Sequence, residues 1–310
     1  MVKKKFKLYI TDYLRRNITF DKKLLGNNIS VKLLQEPKEK KLFPAIKDAD
    51  AIIVDKTNIT KFTLNKIPNC KIIARYGIGY ENVDIEEAGK NGIYVVNCPD
   101  FCHEEVADHT IGMMLAMTRN ILGYNNGLIK GDKKKWRPFG LASTQRLRNK
   151  TIGIIGLGRI GSEVAKRCQP FRLNVIYYDP NVPAKDGQKV GAKKMKSVKE
   201  LTKQSDIVTF HLPLNPETRV MANEEFFKYL KKGAYLINTS RGGILKTKAL
   251  LKAMKNGTVE KAALDVLEEE PINFNEPLIK KWLKDEKLQS HLILTPHVGF
   301  YSPESTKDIE

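Results

Sequence analysis

The stretch "TIGIIGLGRIGSEVAKRC", Thr151–Cys168, decides the fold of this chain. It begins as a short apolar run typical of a buried strand and continues as a helix-like segment. Three glycines stand at the junction, and in that context each has its own task. Gly156 permits a tight turn, Gly158 lets the backbone approach a pyrophosphate, and Gly161 lets the helix pack closely on the strand. The N–H groups at the helix start favour phosphates. The stretch therefore predicts a dinucleotide site rather than a purely structural glycine turn.

The next apolar run, "NVIYYD", ends in Asp179. A carboxylate at the end of this strand accepts hydrogen bonds from the adenosine ribose and repels a 2′-phosphate, which favours NAD over NADP. No arginine follows it to receive such a phosphate, although Lys185 is close in sequence. We therefore expect NAD as the cofactor.

Short apolar runs alternate with helix-like segments along the chain, which is typical of parallel sheets built from βαβ units. Two such series occur, so we expect two α/β domains. The first series has the runs "KLYIT", "ISVKLL", "AIIV", "KIIARY" and "IYVVN". The second has "TIGIIG", "NVIYYD", "DIVTFHL", "AYLINTS", "KAALDV" and "HLILTP". The predicted domains are residues 1–103 with 297–310, and residues 104–296. This division puts His297 in the crevice between them.

Composition narrows the class of protein. The chain has 310 residues, 41% of them hydrophobic, and its apolar runs are far shorter than the ~20 residues of a membrane span. The start lacks the apolar region of a secretory signal, and four cysteines form no dense framework, so we expect a cytoplasmic protein with free thiols.

The net charge of +19 comes from lysines spread over the whole chain, without a nucleic-acid motif. It fits solvated helix faces and attraction of a small anionic substrate, and we expect neither a nucleic-acid nor a membrane partner.

Three strand ends hold side chains suited to chemistry: Arg241 in "INTSRGGIL", the acids of "ALDVLEEEP", and His297 in "ILTPHVGF". Taken singly, they could be a surface cation, a solvated helix start and a packed histidine. Beside a dinucleotide site they form a set, because hydride transfer to a 2-oxo acid needs a cation at the substrate, a proton donor and a group that orients the donor.

Over nearly its whole length the chain resembles the D-isomer-specific 2-hydroxyacid dehydrogenases, and within them the branch of the C-terminal-binding proteins and their bacterial relatives. The motifs behind the resemblance are "RYGIGYENVD" (75–84), "NCPDFCHEEVADHT" (97–110), "GLGRIG", "HLPLNPETR" (211–219), "NTSRGG", "LDVLEEEP" and "LTPHVGFYS". The resemblance implies a flavodoxin-like substrate domain, a Rossmann NAD-binding domain and NAD-dependent interconversion of a 2-oxo acid and a D-2-hydroxy acid. Phosphoglycerate, glyoxylate, hydroxypyruvate and longer 2-oxo acids all fit it.

The resemblance also implies roles for single residues. Arg241 would bind substrate, Glu270 would orient and charge the histidine, and His297 would be the acid–base. The loop Gly77, Ile78 and Gly79 would hold the substrate carboxylate. The implied cofactor contacts are Gly156, Gly158, Arg159, Ile160, Gly161, Asp179, Leu212, Pro213, Thr218, Thr239, Ser240, Arg241, Asp265 and His297.

Three further expectations follow. The long helix from about Glu104 to Leu122, and the polar arm after it, resemble the family's dimer surface, so we expect a homodimer. His109 in that helix is expected to be packed, His211 to be structural, and no metal site is expected because ligand spacing is lacking. The alternative function is an NAD(H)-sensing binding protein of the co-repressor kind with little enzymatic activity.

Overall fold

The computed structural model describes residues 5–12, 25–129, 131, 133–137 and 144–309. Packing of the backbone divides the chain into two units, Met1–Phe101 with Pro303–Glu310, and Cys102–Ser302. Each unit is built on one parallel sheet, and the predicted class of two α/β domains is confirmed. Among the described residues, no helix has the length and apolar character that crossing a membrane requires.

The first unit has a five-stranded parallel sheet in the order β2-β1-β3-β4-β5, which is the flavodoxin-like order. Its apolar core lies between this sheet and the helices. The strands are β1 Phe6–Ile10, β2 Ile29–Leu33, β3 Ala51–Val54, β4 Ile72–Arg75 and β5 Tyr94–Val96. The helices are α1 Glu39–Ile46, α2 Lys61–Leu64, α3 Ile85–Lys90 and, from the end of the chain, α13 Pro303–Ile309.

The second unit has a seven-stranded parallel sheet in the order β12-β11-β10-β9-β6-β7-β8. Every residue of the central strands β9 and β10 is buried, because helices cover both faces of the sheet. The strands are β6 Thr151–Ile155, β7 Asn174–Tyr178, β8 Lys193–Lys194, β9 Ile207–Phe210, β10 Ala234–Asn238, β11 Val259–Leu264 and β12 Leu292–Leu294. Strand β8 was not predicted, since its two lysines have no apolar pattern. The α-helices are α4 His103–Thr118, α5 Ile121–Ile129, α6 Arg159–Cys168, α7 Ala184–Lys189, α8 Val198–Gln204, α9 Glu224–Lys228, α10 Thr247–Lys255, α11 Pro277–Lys284 and α12 Glu286–His291.

The strand order reverses between β6 and β9, which is the topological switch point of a Rossmann sheet. Loops after these two strands meet there at the carboxyl edge. The fold thus puts the glycine-rich loop where open α/β sheets bind their ligands.

The predicted helix Glu104–Leu122 is wrong in its C-terminal part. Helix α4 ends at Thr118, and buried Asn120 adopts a left-handed conformation with φ +53°. Asparagine tolerates this conformation better than most residues, so the chain turns there and continues as α5, Ile121–Ile129. Residues 130, 132 and 138–143 of the predicted polar arm lie outside the described residues.

The unit boundaries also differ from the predicted ones. Residues 297–302, expected with the first domain, pack with the second. The N–H of His297 donates to the carbonyl of Asp265 at 2.8 Å, and the Ser302 hydroxyl donates to Glu105 of α4 at 2.8 Å. These contacts hold the segment on the second unit beyond Pro296.

Candidate active site

The glycine-rich loop has the geometry that its three glycines require. Gly156 has φ +94°, and a Cβ there would lie 2.4 Å from the carbonyl oxygen of His211. A Cβ on Gly161 would lie 2.1 Å from the carbonyl oxygen of Gly156. Turn and helix packing therefore exclude a side chain at both positions.

Gly158 differs from the other two glycines of the motif. It precedes the first residue of α6, and a Cβ on it would meet no atom within 4 Å among the described residues. Internal packing therefore gives no reason for a glycine there. Open space over the N-terminus of a ten-residue helix is what a pyrophosphate approaching the backbone needs. Arg159 and Ile160 are the first two residues of that helix.

Asp179 follows β7 and faces the same loop. Its Oδ2 accepts the N–H of Leu157 at 2.9 Å, and its Oδ1 accepts the N–H of Asn181 at 2.8 Å. A carboxylate oxygen accepts more than one hydrogen bond, so both oxygens keep capacity for ribose hydroxyls. The loop and the acid that the sequence paired are joined in the structure.

The loop after β9 borders the switch point. Thr218 donates to the carbonyl of Pro213 at 2.7 Å, and a methyl of Leu212 would lie 2.9 Å from a Cβ on Gly156. His211 bonds Thr209 through Nε2 at 2.9 Å, and within the described residues no hydrogen-bond partner reaches its Nδ1. Burial lowers the pKa of His211 to about 3, so this imidazole is neutral at neutral pH.

The turn after β10 contains Thr239, Ser240 and Arg241. Asn238 accepts the N–H and the hydroxyl of Ser240 at 3.1 and 2.8 Å, and donates to the carbonyl of Arg241 at 3.0 Å. The Thr239 hydroxyl lies 2.9 Å from that of buried Thr110 in α4. The turn is thus held on both sides, and the Arg241 guanidinium donates to the Ser240 carbonyl at 2.7 Å.

The turns after β10 and β11 are in contact. A Cβ on Gly242 would lie 1.6 Å from the carbonyl oxygen of Leu267, so only glycine fits beside Arg241. The N–H of Leu267 donates to Oε1 of Glu270 at 3.0 Å. Oε2 of Glu270 in turn lies 2.7 Å from Nδ1 of His297. The predicted acid and histidine are therefore paired, and the two side chains are about one-third exposed, at 36% and 35%.

Asp265 lies at the end of β11, is 3% exposed and is surrounded by donors. Burial raises its pKa, but hydrogen bonds from His109, Thr295 and the N–H groups of Val298 and Gly299 outweigh burial and lower the pKa to about 2. The carboxylate is therefore charged throughout the neutral range.

The predicted carboxylate-binding loop belongs to the first unit. Gly77 has φ +147°, and its carbonyl accepts the N–H of Cys98 at 3.0 Å. Asn97 donates to the carbonyl of Ile78 at 2.7 Å. Arg75 lies against the loop, because a Cβ on Gly77 would fall 1.4 Å from its Nη1. Sequence reasoning considered Gly77, Ile78 and Gly79 but not this cation.

The comparisons with known proteins agree with this geometry. Residues 111–299 match the family model described as D-isomer specific 2-hydroxyacid dehydrogenase, NAD binding domain. The chain belongs to this family. It is 37% identical over 302 residues to D-3-phosphoglycerate dehydrogenase of Methanocaldococcus jannaschii, covering 97% of this chain and 55% of that protein. It is 38% identical over 265 residues to glyoxylate reductase of Thermofilum pendens, covering 85% of this chain and 76% of that protein.

A solved structure extends the likeness to three dimensions. D-lactate dehydrogenase of Aquifex aeolicus, in complex with NAD and lactic acid, superimposes with a TM-score of 0.84 at 31% identity, covering 97% of this chain and 91% of that chain. The predicted Rossmann-type NAD domain, NAD as cofactor and the class of NAD-dependent 2-hydroxyacid dehydrogenase are thereby confirmed. The chain spans about half the length of the phosphoglycerate dehydrogenase that it matches.

The site also has contacts that the sequence did not indicate. His109, expected to be merely packed, reaches Thr295 at 3.1 Å and Asp265 at 3.5 Å. Its position in a regular helix gives no local sign of these partners, which are far away in sequence. Within the described residues no group of three or more His, Cys, Asp or Glu side chains is arranged to hold a metal.

Proposed function

We propose that Arg241, Glu270 and His297 catalyse the reduction of a small 2-oxo acid to the D-2-hydroxy acid. The observation that supports this most directly is the 2.7 Å contact between Nδ1 of His297 and Oε2 of Glu270. A carboxylate bound to Nδ1 orients the imidazole, so Nε2 becomes the nitrogen that serves the substrate. In reduction, His297 gives a proton to the carbonyl oxygen; in oxidation it takes the proton back.

Glu270 is suited to this role because both of its oxygens are engaged. Oε1 accepts the N–H of Leu267 at 3.0 Å while Oε2 faces His297. Arg241 stands on the neighbouring turn, and its planar guanidinium can bind a carboxylate through two parallel hydrogen bonds. We propose that it holds the substrate's carboxylate and polarises the carbonyl.

NAD(H) supplies or accepts the hydride when it is bound. We propose that its pyrophosphate lies over Gly158 with Arg159 and Ile160, in the turn that Gly156 and Gly161 make possible. Leu212, Pro213 and Thr218 would contact the cofactor from the β9 loop, and Thr239, Ser240 and Asp265 would face the nicotinamide. Asp179 would bind the adenosine ribose, so titration should give a much weaker affinity for NADPH than for NADH. Similar affinities would contradict this role of Asp179.

The identity of the acid is the open part of the function. Relatives are named for glyoxylate and phosphoglycerate, and a structural neighbour was solved with lactic acid. We propose a small anionic 2-oxo acid, and within the first unit we propose the loop Gly77, Ile78 and Gly79 as a substrate-binding loop. The measurement is the fall in NADH absorbance with glyoxylate, hydroxypyruvate, 3-phosphohydroxypyruvate, pyruvate and longer 2-oxo acids. NADH binding without turnover of any of them would favour the NAD-sensing alternative.

We propose that the enzyme is a cytoplasmic homodimer. Helix α5, with the sequence "ILGYNNGLI", is apolar, yet among the described residues none of its side chains is buried. Ile129 is 74% exposed, and Trp136 just beyond the helix is 81% exposed. An apolar surface of this kind is suited to a second copy of the chain. Sedimentation should give a dimer for the wild type and a monomer for Ile129→Lys; a wild-type monomer would contradict the proposal.

A further inference from the structure

A chain of polar contacts joins helix α4 to the strand end where His297 lies. Nε2 of His109 is 3.1 Å from the Thr295 hydroxyl, and that hydroxyl donates to Oδ1 of Asp265 at 2.5 Å. Nε2 of His109 is also 3.5 Å from the same carboxylate oxygen. All three residues belong to the second unit.

The directions of these hydrogen bonds follow from the donors available. The Asp265 carboxylate is charged and can only accept. The single hydroxyl proton of Thr295 points to it, so the Thr295 oxygen must accept from His109. His109 therefore has a proton on Nε2, and the relay runs His109 to Thr295 to Asp265.

Asp265 in turn organises the backbone around His297. Its carboxylate accepts the N–H groups of Val298 and Gly299, each at 2.9 Å, and its carbonyl accepts the N–H of His297 at 2.8 Å. Three successive N–H groups thus converge on one residue, as in an anion-binding nest.

His297 itself adopts φ +53°, a left-handed conformation that is unfavourable for a non-glycine residue. The bonds from residues 297–299 to Asp265 offset this cost. They determine where the His297 side chain leaves the backbone.

His109 also lies close to this turn. A Cβ on Gly299 would lie 3.3 Å from Cδ2 of His109 and 3.0 Å from Oδ2 of Asp265. Little space therefore separates the turn from His109 and Asp265.

We propose that His109 is a positioning residue for the reaction: through Thr295 and Asp265 it holds the left-handed turn that aims the imidazole of His297 at the substrate. This inference rests on the proposed acid–base role of His297. His109 acts from α4 without contact to the reacting atoms.

The test compares His109→Leu, which removes the donor, with His109→Gln, whose amide can replace it. We expect His109→Leu to lower kcat about 10- to 100-fold, since displacement of a catalytic group by about 1 Å has costs of this order. His109→Gln should recover to within about threefold of wild type, because only the N–H at this position is needed.

The Thr295 variants test the next residue of the relay. The kcat of Thr295→Val should resemble that of His109→Leu, and the kcat of Thr295→Ser should resemble wild type. The double variant His109→Leu/Thr295→Val should have a kcat no lower than either single variant.

A second readout does not depend on activity. The imidazole resonances of His297, assigned with His297→Asn, should shift in His109→Leu and return in His109→Gln. His291→Leu is the matched control, because His291 bonds Ser290 and Lys287 on α12, and it should leave these resonances and kcat unchanged.

Unmoved His297 resonances with kcat within twofold of wild type in His109→Leu would overturn the positioning role. Equal loss of kcat in His109→Leu and His109→Gln would also overturn it. If His109→Leu does not fold, the Thr295→Val and Thr295→Ser pair decides in the same way. If wild-type enzyme turns over no 2-oxo acid, the proposed function fails, whereas the resonances still test the positioning.

Discussion

Strand β11 has a buried ionisable residue near each end, and the two behave differently. Asp265 at the carboxyl end is 3% exposed and Lys261 near the amino end is 0% exposed. Burial raises the pKa of Asp265, but four hydrogen-bond donors reverse the effect and lower it to about 2. Burial lowers the pKa of Lys261 to about 8, and the nearby Glu260 opposes this only in part. Asp265 keeps its charge, whereas Lys261 is held in a site that disfavours its charge.

The difference shows what each end of the sheet does. At the carboxyl end, the donors around Asp265 shape the turn that bears His297. At the amino end, Nζ of Lys261 donates to the carbonyl of Met117 at 2.8 Å and to Asn120 at 3.4 Å, where α4 ends. We infer that the first group serves catalysis and the second serves the packing of α4 on the sheet. Substitutions at the two ends should therefore change different quantities.

The largest effect is expected from His297→Ala. Loss of a positioned proton donor costs about 10²- to 10⁴-fold in rate, so kcat/KM for 2-oxo acid reduction should fall about 10³-fold at every pH. NADH affinity should change little. Lys261→Met is the control at the other end of the sheet. Its kcat/KM should stay within about twofold of wild type, because Lys261 has no proposed part in the reaction. If His297→Ala is fully active, His297 is a packed residue at a strand end and not the proton donor.

Arg241→Lys is expected to have the next largest effect. Lysine keeps the charge but lacks the planar fork that binds a carboxylate through two hydrogen bonds. One lost hydrogen bond to a charged group costs about 1.5–3 kcal/mol. Steady-state kinetics should show kcat/KM lower by about 100-fold, and fluorescence titration should show nearly unchanged NADH binding. Activity close to wild type would mean that Arg241 does not bind the substrate.

Glu270→Gln should have a smaller effect. Glutamine keeps the size of the side chain but removes the carboxylate that faces Nδ1 of His297, so the imidazole loses the partner that orients it. Steady-state kinetics should show kcat/KM about tenfold lower than wild type, and fluorescence titration should show nearly unchanged NADH binding. A kcat/KM equal to that of wild type would show that the 2.7 Å contact has no role in proton delivery.

Lys261→Met should change stability rather than activity. The pKa of Lys261 is about 8 in the folded chain, below its ordinary value of 10.5, so the unfolded chain binds more protons between these limits. The free energy of unfolding of the wild type should therefore rise with pH relative to Lys261→Met, by about 3 kcal/mol from pH 8 to above pH 10.5. Urea unfolding of both proteins at pH 7, 9 and 10.5 measures this difference. If the difference in unfolding free energy between the two proteins does not change with pH, burial does not lower the pKa of Lys261.

Much of the fold and of the cofactor site could be predicted because the information is local. Apolar runs of four to seven residues predicted the central strands, since a parallel strand covered on both faces must be largely apolar. Gly156, Gly158 and Gly161 predicted the turn, the open approach and the close packing, because the requirements of a glycine follow from the backbone within a few residues. The position of Asp179 beside this loop could be predicted in the same way, from its place at the end of the next strand.

Only the tertiary structure decided the rest, because it depends on residues far apart in the chain. His109 and Thr295 are separated by 186 positions, and no pattern in helix α4 distinguishes a packed histidine from one that bonds a strand end. Lys261 is in a predicted strand, yet its complete burial against the end of α4 needs the helix in place. Residues 297–302 pack with the second unit because Asp265 accepts the N–H groups of residues 297–299 and Glu105 accepts the Ser302 hydroxyl. Asp265 is 34 positions from Gly299. Short-range sterics could be read from the sequence, whereas long-range hydrogen bonding and burial required the folded chain.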